Sequence, residues 1–269
     1  MKKAQYNTSL RANNMKNIKI VTPVSHLFKN DGNRKMIIEN SDLLELRDSS
    51  ILLDSNNIKL YHSDYNLVTL FDKNTLKRFE EFKVRYNFDA ISFHLSSKYK
   101  KNKIINNSFV GIGKPLTETE MKSNIKKNIQ TLRKIFDDIP IMVENNNHLK
   151  SDAYDIITEP RFISKIVNEN NIYFLFDIPH ALISKINTNQ ENYISKLPLK
   201  RTLQIHISKH GFKKGEIIDA HEELKEEDWN FLKETISKTF KLKYITIEYY
   251  KNGTKLIEQL KRLNQIIKN

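Results

Sequence analysis

Asp177 and His180 stand three residues apart at the end of an apolar run, 172–176, in the stretch IYFLFDIPH. A run of this kind reads as a strand buried on both faces. A carboxylate and an imidazole at its end could bind a metal ion, yet one such pair decides little. Other strand-like runs end the same way. The third closes on His62, the fourth on His94 and the fifth on Glu144. The seventh carries His206 near its end, the segment behind it holds Asp219 and His221, and the eighth carries Glu248. With Asp177 and His180 this makes nine oxygen and nitrogen donors from six consecutive strand ends.

Each donor alone has an ordinary explanation. A histidine at a strand end is usually a satisfied polar group, and a buried glutamate usually has a basic partner. Gathered at one place without metal, five imidazoles and four carboxylates would repel or stay unpaired, which is costly. Divalent cations remove that cost. Nine donors exceed the roughly four to six positions of a single ion, so two or three ions are implied. Glu144 and Glu248 are the candidates for bridging carboxylates. Asp219 and His221, at i and i+2, can point the same way from an extended loop.

The chain has no cysteine, which excludes disulfides, thiolate ligands and a cysteine nucleophile. Imidazole and carboxylate without thiolate suit iron, manganese or zinc equally. His210, in HISKHG, falls close enough to this rim to touch a ligand or a substrate, and with Asp177 it is the candidate for a catalytic role. His26 and His148 read as surface groups, and Trp229 as core. There is no glycine-rich phosphate loop and no G-x-S-x-G elbow, and GIG at 111–113 is too short to count.

Eight strand-like runs must position these residues: 18–21, 42–46, 58–62, 89–94, 139–145, 172–177, 202–207 and 244–249. Helical patterns lie over 74–86, 116–136, 159–169, 226–240 and 254–267, with a capping-box spacing at Thr117 and Glu120. The crossovers after the first two strands are weaker. Eight buried strands alternating with helices predict an α/β fold, a (β/α)8 TIM barrel whose site gathers at the carboxyl ends of the strands. Residues 1–14 are polar and aperiodic and read as a disordered lead-in; residues 15–269 read as one domain, without repeat or linker. The net charge of +13 is spread over lysines on nearly every helix, with one denser cluster, KYKKNK at 98–103. That cluster could attract an acidic peptide or phosphate, although a loop of this kind is more often solvated surface. With no bilayer-length apolar stretch and no charged-then-apolar leader, a cytoplasmic protein is expected.

The sequence resembles the xylose-isomerase-like barrel superfamily. Within it, the likeness is to the multinuclear non-haem iron-dependent oxidative (MNIO) enzymes of the methanobactin-maturation type. The carrying segments are ISFHLSS (91–97), MVENNNHL (142–149), EPRFISKIVNENNIYFLFDIPHALIS (159–184), YISKLPLKRTLQIHISKHG (193–211), IIDAHEELKEEDWNFL (217–232) and ITIEYY (245–250). The N-terminal third matches only loosely, through DLLEL and LYHSDY. The resemblance implies two or three iron ions, as Fe2+ and Fe3+, on His62, His94, Glu144, Asp177, His180, His206, Asp219, His221 and Glu248, with O2 as co-substrate. It also implies a ribosomally made precursor peptide as substrate, undergoing side-chain oxidation, heterocycle formation or backbone cleavage, in several relatives with a separate leader-recognition protein. Many members carry Asn where this chain has His180.

Two related groups are alternatives. Endonuclease-IV-type enzymes share the nine-donor plan, with zinc and abasic DNA, and the positive charge would suit them. Their motifs place Pro-Gly after the second histidine and a glycine-rich turn after D-x-H, where this chain reads HLSS and DAHEELKEEDW. Sugar isomerases and epimerases use one metal and fewer ligands. A peptide substrate is therefore expected ahead of a nucleic acid or a sugar.

Overall fold

The computed structural model describes residues 17–137, 139–213 and 215–268. The expected lead-in and the domain boundary at Met15 lie outside the described residues. Eight parallel strands close a barrel: β1 (Lys19–Pro23), β2 (Leu43–Arg47), β3 (Ile58–Asn66), β4 (Ala90–His94), β7 (Ile141–Glu144), β8 (Tyr173–Asp177), β9 (Thr202–Ile207) and β12 (Tyr244–Ile247). β1 pairs with both β2 and β12, which leaves no open edge. All eight runs seen in the sequence are barrel strands, because a strand covered on both faces must be apolar along its length. In β9 every residue is buried.

Helices wrap the outside. Asp31–Glu39, Lys73–Arg85, Glu118–Ile135, Pro160–Glu169, Ile178–Asn187, Glu226–Lys238 and Gly253–Lys268 are the α-helices among the described residues. The Thr117/Glu120 capping box forms, and Met121, Ile125, Ile129 and Leu132 are buried against the barrel. Trp229 is buried, with the Arg262 guanidinium 5.0 Å from its ring centroid. The spacing of Leu76, Phe79, Phe82 and Val84 in 74–86 predicts all four near one face, but Val84 is 89% exposed, and Phe79 and Tyr61 do the packing there. No helix spans the crossover from β2 to β3, where residues 48–57 form an irregular loop.

Two hairpins depart from the regular alternation. β5 (Lys101–Ile105) pairs with β6 (Ser108–Ile112) after β4, and β10 (Lys209–Lys213) pairs with β11 (Glu216–Glu222) after β9. The first turns on Asn106 and Asn107 at φ of 49° and 62°, the left-handed pair that a two-residue hairpin needs. The Tyr99 ring lies so close over Gly111 that a Cβ there would meet it at 2.2 Å, so the glycine of GIG is a packing residue. No helix among the described residues is long and apolar enough to cross a membrane.

Candidate metal centre

Strand period sets the donors in one layer. Inward residues recur at i and i+2, so Leu60, Met142 and Leu175 lie one step below His62, Glu144 and Asp177. On β9 and β12, Gln204 and Thr246 likewise precede His206 and Glu248. The lower residues Val21, Leu60, Ala90, Met142, Leu175 and Tyr244 form a separate apolar cluster that plugs the barrel. Above it opens a cavity of about 350 Å³, lined by His62, His94, Glu144, His180, Asp219, His221, Glu248 and neighbouring residues. Asp177 and His206 are buried against these residues without lining the cavity.

Glu144 occupies the centre. Its Oε2 lies 2.7 Å from His94 Nδ1 and 3.6 Å from His62 Nε2, and its Oε1 lies 3.3 Å from His206 Nδ1. Glu248 Oε1 is 3.1 Å from His206 Nδ1, and its Oε2 is 3.3 Å from His221 Nε2. Asp219 Oδ2 completes the far side, 3.3 Å from His180 Nε2 and 3.2 Å from His221 Nε2. His221 reaches this position from β11 with φ of 46°, a left-handed conformation that turns the strand at its penultimate residue. Asp177 both ends β8 and caps the following helix, its Oδ1 accepting the His180 N–H at 2.6 Å. Strand, cap and helix thus join without a loop, and the two residues share one corner.

Three imidazoles are held by one nitrogen and present the other. His62 Nδ1 bonds Ser92 Oγ at 2.8 Å, leaving Nε2 toward Glu144. His206 Nε2 bonds Glu45 Oε2 at 3.2 Å, leaving Nδ1 toward Glu144 and Glu248. His180 Nδ1 bonds the Asn145 carbonyl at 3.0 Å, leaving Nε2 toward Asp219. Such a partner fixes the tautomer and aim of a ligating histidine.

Charge is concentrated here. Burial alone would raise the Glu144 and Glu248 carboxyls, but His94 and His62 around the first, and Arg47 and His206 around the second, hold both well below the usual range. Burial and the carboxylates of Glu144, Glu248 and Asp219 outweigh His180 and push Asp177 well up. Burial disfavours charge on His180 and His206, yet Asp177 for the first and Glu45 for the second raise them well above the ordinary value. His62, facing His94 and Arg47 in a buried setting, is lowered. The polar groups nonetheless do not satisfy one another. His62 Nε2, Glu144 Oε2, Asp177 Oδ2, His206 Nδ1 and Asp219 Oδ1 are buried without an aligned hydrogen bond. Side-chain atoms of His62, His94 and Glu144, and again of Glu144, Asp177 and His206, lie within 4.8 Å of one another. Five orphaned donor atoms around one cavity are the arrangement that cations satisfy.

Residues 66–268 match the model of a family described as the RiPP precursor modification enzyme MbnB/TglH/ChrH. The chain belongs to this family. Two curated relatives are each called UPF0276 protein. The one from Caulobacter vibrioides is 28% identical over 86 residues, 31% of either chain, and the one from Paraburkholderia phytofirmans 24% over 160 residues, 56% of this chain and 50% of its own. The matched segments thus span a third to a half of those relatives. In fold, the chain is similar to a xylose isomerase domain containing protein from Salmonella typhimurium, with TM-score 0.66, 12% identity and 94% and 98% of the two chains covered. It is also similar to endonuclease IV from Thermus thermophilus, with TM-score 0.56, 10% identity and 93% and 98% covered. These likenesses carry the xylose-isomerase-like barrel.

Against this MbnB/TglH/ChrH membership, all nine donors expected from the sequence meet at one end of the barrel. His210 does not line the cavity. It sits half-buried on β10, its ring 6.0 Å from Phe212, and burial and Lys209 lower it. His148 bonds Thr158 Oγ1 at 2.9 Å, away from the centre. Within KYKKNK, Lys98 pairs with Asp152 and Asp155, and Lys101 and Lys103 lie on β5. Two residues escape a reading of strand ends. Glu45 and Arg47, on β2, are inserted among the donors, and Arg47 Nη2 lies 2.8 Å from Glu45 Oε1. In isolation, ELR reads as an exposed acid–base pair on a strand; the signal missed was that i and i+2 of a barrel strand both face inward.

Proposed function

We propose that this protein uses iron and O2 to oxidise a ribosomally made precursor peptide. The observation that carries the reading is the set of orphaned donor atoms around one cavity, in a chain of a peptide-modifying enzyme family. His62, His94 and Glu144 would hold one ion, and Glu144, Asp177 and His206 a second. His180, Asp219 and His221, with Glu248, offer a third position. The preference for iron comes from the family resemblance, since these ligands suit several metals. Bound iron supplies one-electron redox chemistry toward dioxygen, and electrons and protons leaving the peptide reduce dioxygen to water.

The chain's own residues orient and exclude. Glu45, Ser92 and the Asn145 carbonyl fix three imidazoles, and the apolar plug below keeps bulk water from the floor. A volume of about 350 Å³ accommodates ions and one inserted side chain. His210, half-buried on the hairpin after β9 and lowered by burial and Lys209, is the candidate to accept a proton from the peptide. We expect protein purified without oxygen to contain iron, and to consume O2 and change the mass of its peptide when the two are combined. Zinc instead of iron, with cutting of abasic duplex DNA in the absence of oxygen, would replace this reading with the endonuclease one.

A further inference from the structure

Among the described residues lining the cavity, Arg47 is the only arginine or lysine. Its guanidinium donates to Glu45 Oε1 from Nη2 at 2.8 Å and from Nε at 3.2 Å, and Nη2 also pairs with Glu248 Oε1. It therefore takes the inner oxygen of Glu248, the one facing His206, and leaves Oε2 to His221. The orphaned atoms are distributed unevenly. Four of the five, His62 Nε2, Glu144 Oε2, Asp177 Oδ2 and His206 Nδ1, lie around Glu144. The far corner is instead linked through His180, Asp219, His221 and Glu248 by contacts of 3.3, 3.2 and 3.3 Å, with only Asp219 Oδ1 left over.

Resting on the metal reading above, we infer that Arg47 stands in for a third cation. The centre would then hold two ions, one on His62, His94 and Glu144 and one on Glu144, Asp177 and His206, while the His180/Asp219/His221 corner is held by the His180 Nε2–Asp219 Oδ2 hydrogen bond and the approach of His221 Nε2 to Asp219 and Glu248. Charge supports the count. Glu45, Glu144, Asp177, Asp219 and Glu248 are five carboxylates, matched in formal charge by two divalent ions and one guanidinium before any imidazole adds positive charge. A third divalent ion would add positive charge with no carboxylate left to compensate it in a largely buried site. Asp64, at the rim, has a 58% exposed side chain whose charge water screens.

The test is a count of ions, independent of peptide or oxygen. The full chain is loaded with iron(II) without oxygen, and ions per chain are measured by native mass spectrometry and by elemental analysis. The wild type should hold two, Arg47→Lys two, and Arg47→Met three. Three in the wild type or in Arg47→Lys, or two in Arg47→Met, overturns the assignment. If Arg47→Met does not fold, the wild-type count decides, with two supporting the inference and one or three overturning it. Retention of no iron overturns the metal reading itself, whereas two ions with no peptide oxidation overturns only the proposed activity.

Discussion

Two layers of one barrel interior differ by a single step along each strand. Leu175 and Asp177 share β8, face the same way and are both buried, as do Met142 and Glu144 on β7. The lower layer is mostly apolar side chain against apolar side chain, its polar exception being Gln204, which donates Nε2 to Thr246 and Glu45 and leaves only Oε1 over. The upper layer leaves five buried polar atoms without partners. The contrast teaches that the same closed barrel both stabilises and stores unsatisfied bonding capacity, with the first made below the second.

The sharpest test of that contrast compares adjacent layers on β8. Leu175→Ala removes buried apolar volume and should cost about 2–5 kcal/mol. Its melting temperature should fall equally with and without iron, and its ion count should not change. Asp177→Asn keeps the oxygen that caps the helix but removes a carboxyl that burial and three neighbouring carboxylates already push up. The metal-free variant should melt at or above the wild type and bind at least one ion fewer. Thermal melts with elemental analysis read both. A large loss of metal-free stability in Asp177→Asn would show that the upper layer is structural after all.

A smaller effect is expected at Glu45, which serves both layers' purposes by holding His206 and Arg47. Burial alone would raise its carboxyl, but His206 and Arg47 outweigh that and bring it from 4.5 down to about 2. A lowered carboxylate stabilises the fold above its unfolded value, and that contribution is lost as pH falls through its folded value. The metal-free wild type should therefore be more stable to urea than Glu45→Gln at pH 6. That advantage should shrink steadily from pH 4.5 toward pH 2. An advantage that is constant with pH would assign Glu45 to packing instead of charge.

What the sequence discloses follows the same division. Strands were legible because burial on both faces demands continuous apolar runs, and six of the nine donors because they sit at the ends of those runs, with His180 three residues beyond one and Asp219 and His221 in the segment behind another. Glu45 and Arg47 were not, since their burial depends on β2 closing against β1 and β3, a pairing no local pattern records. The hairpins were hidden too. β5 reads KNKII, its exposure pattern set by the hairpin alone, and only the Asn106-Asn107 pair hints at the turn. The helices that pack on the barrel obeyed their spacing, except at Val84, which lies two residues past Phe82 and so on the far side of the helix from the stripe of Leu76, Phe79 and Phe82.

The smallest expected effect on stability belongs to the hairpins, which follow the carboxyl ends of β4 and β9. Phe212 on β10 is 75% exposed and Ile104 on β5 is 71% exposed, an unusual placement for large apolar groups, while Phe109 of β6 lines the cavity itself. Side chains this exposed contribute little to folding, so Phe212→Ser should change stability by less than about 0.5 kcal/mol and leave the iron count intact. If the substrate is a peptide, such groups are suited to grip it before a side chain enters the cavity. The variant should then raise KM for the peptide severalfold with kcat unchanged. An unchanged KM would confine recognition to the cavity and leave the hairpins as covers. A fall in kcat with constant KM would instead place Phe212 in the positioning of His210, its ring neighbour at 6.0 Å.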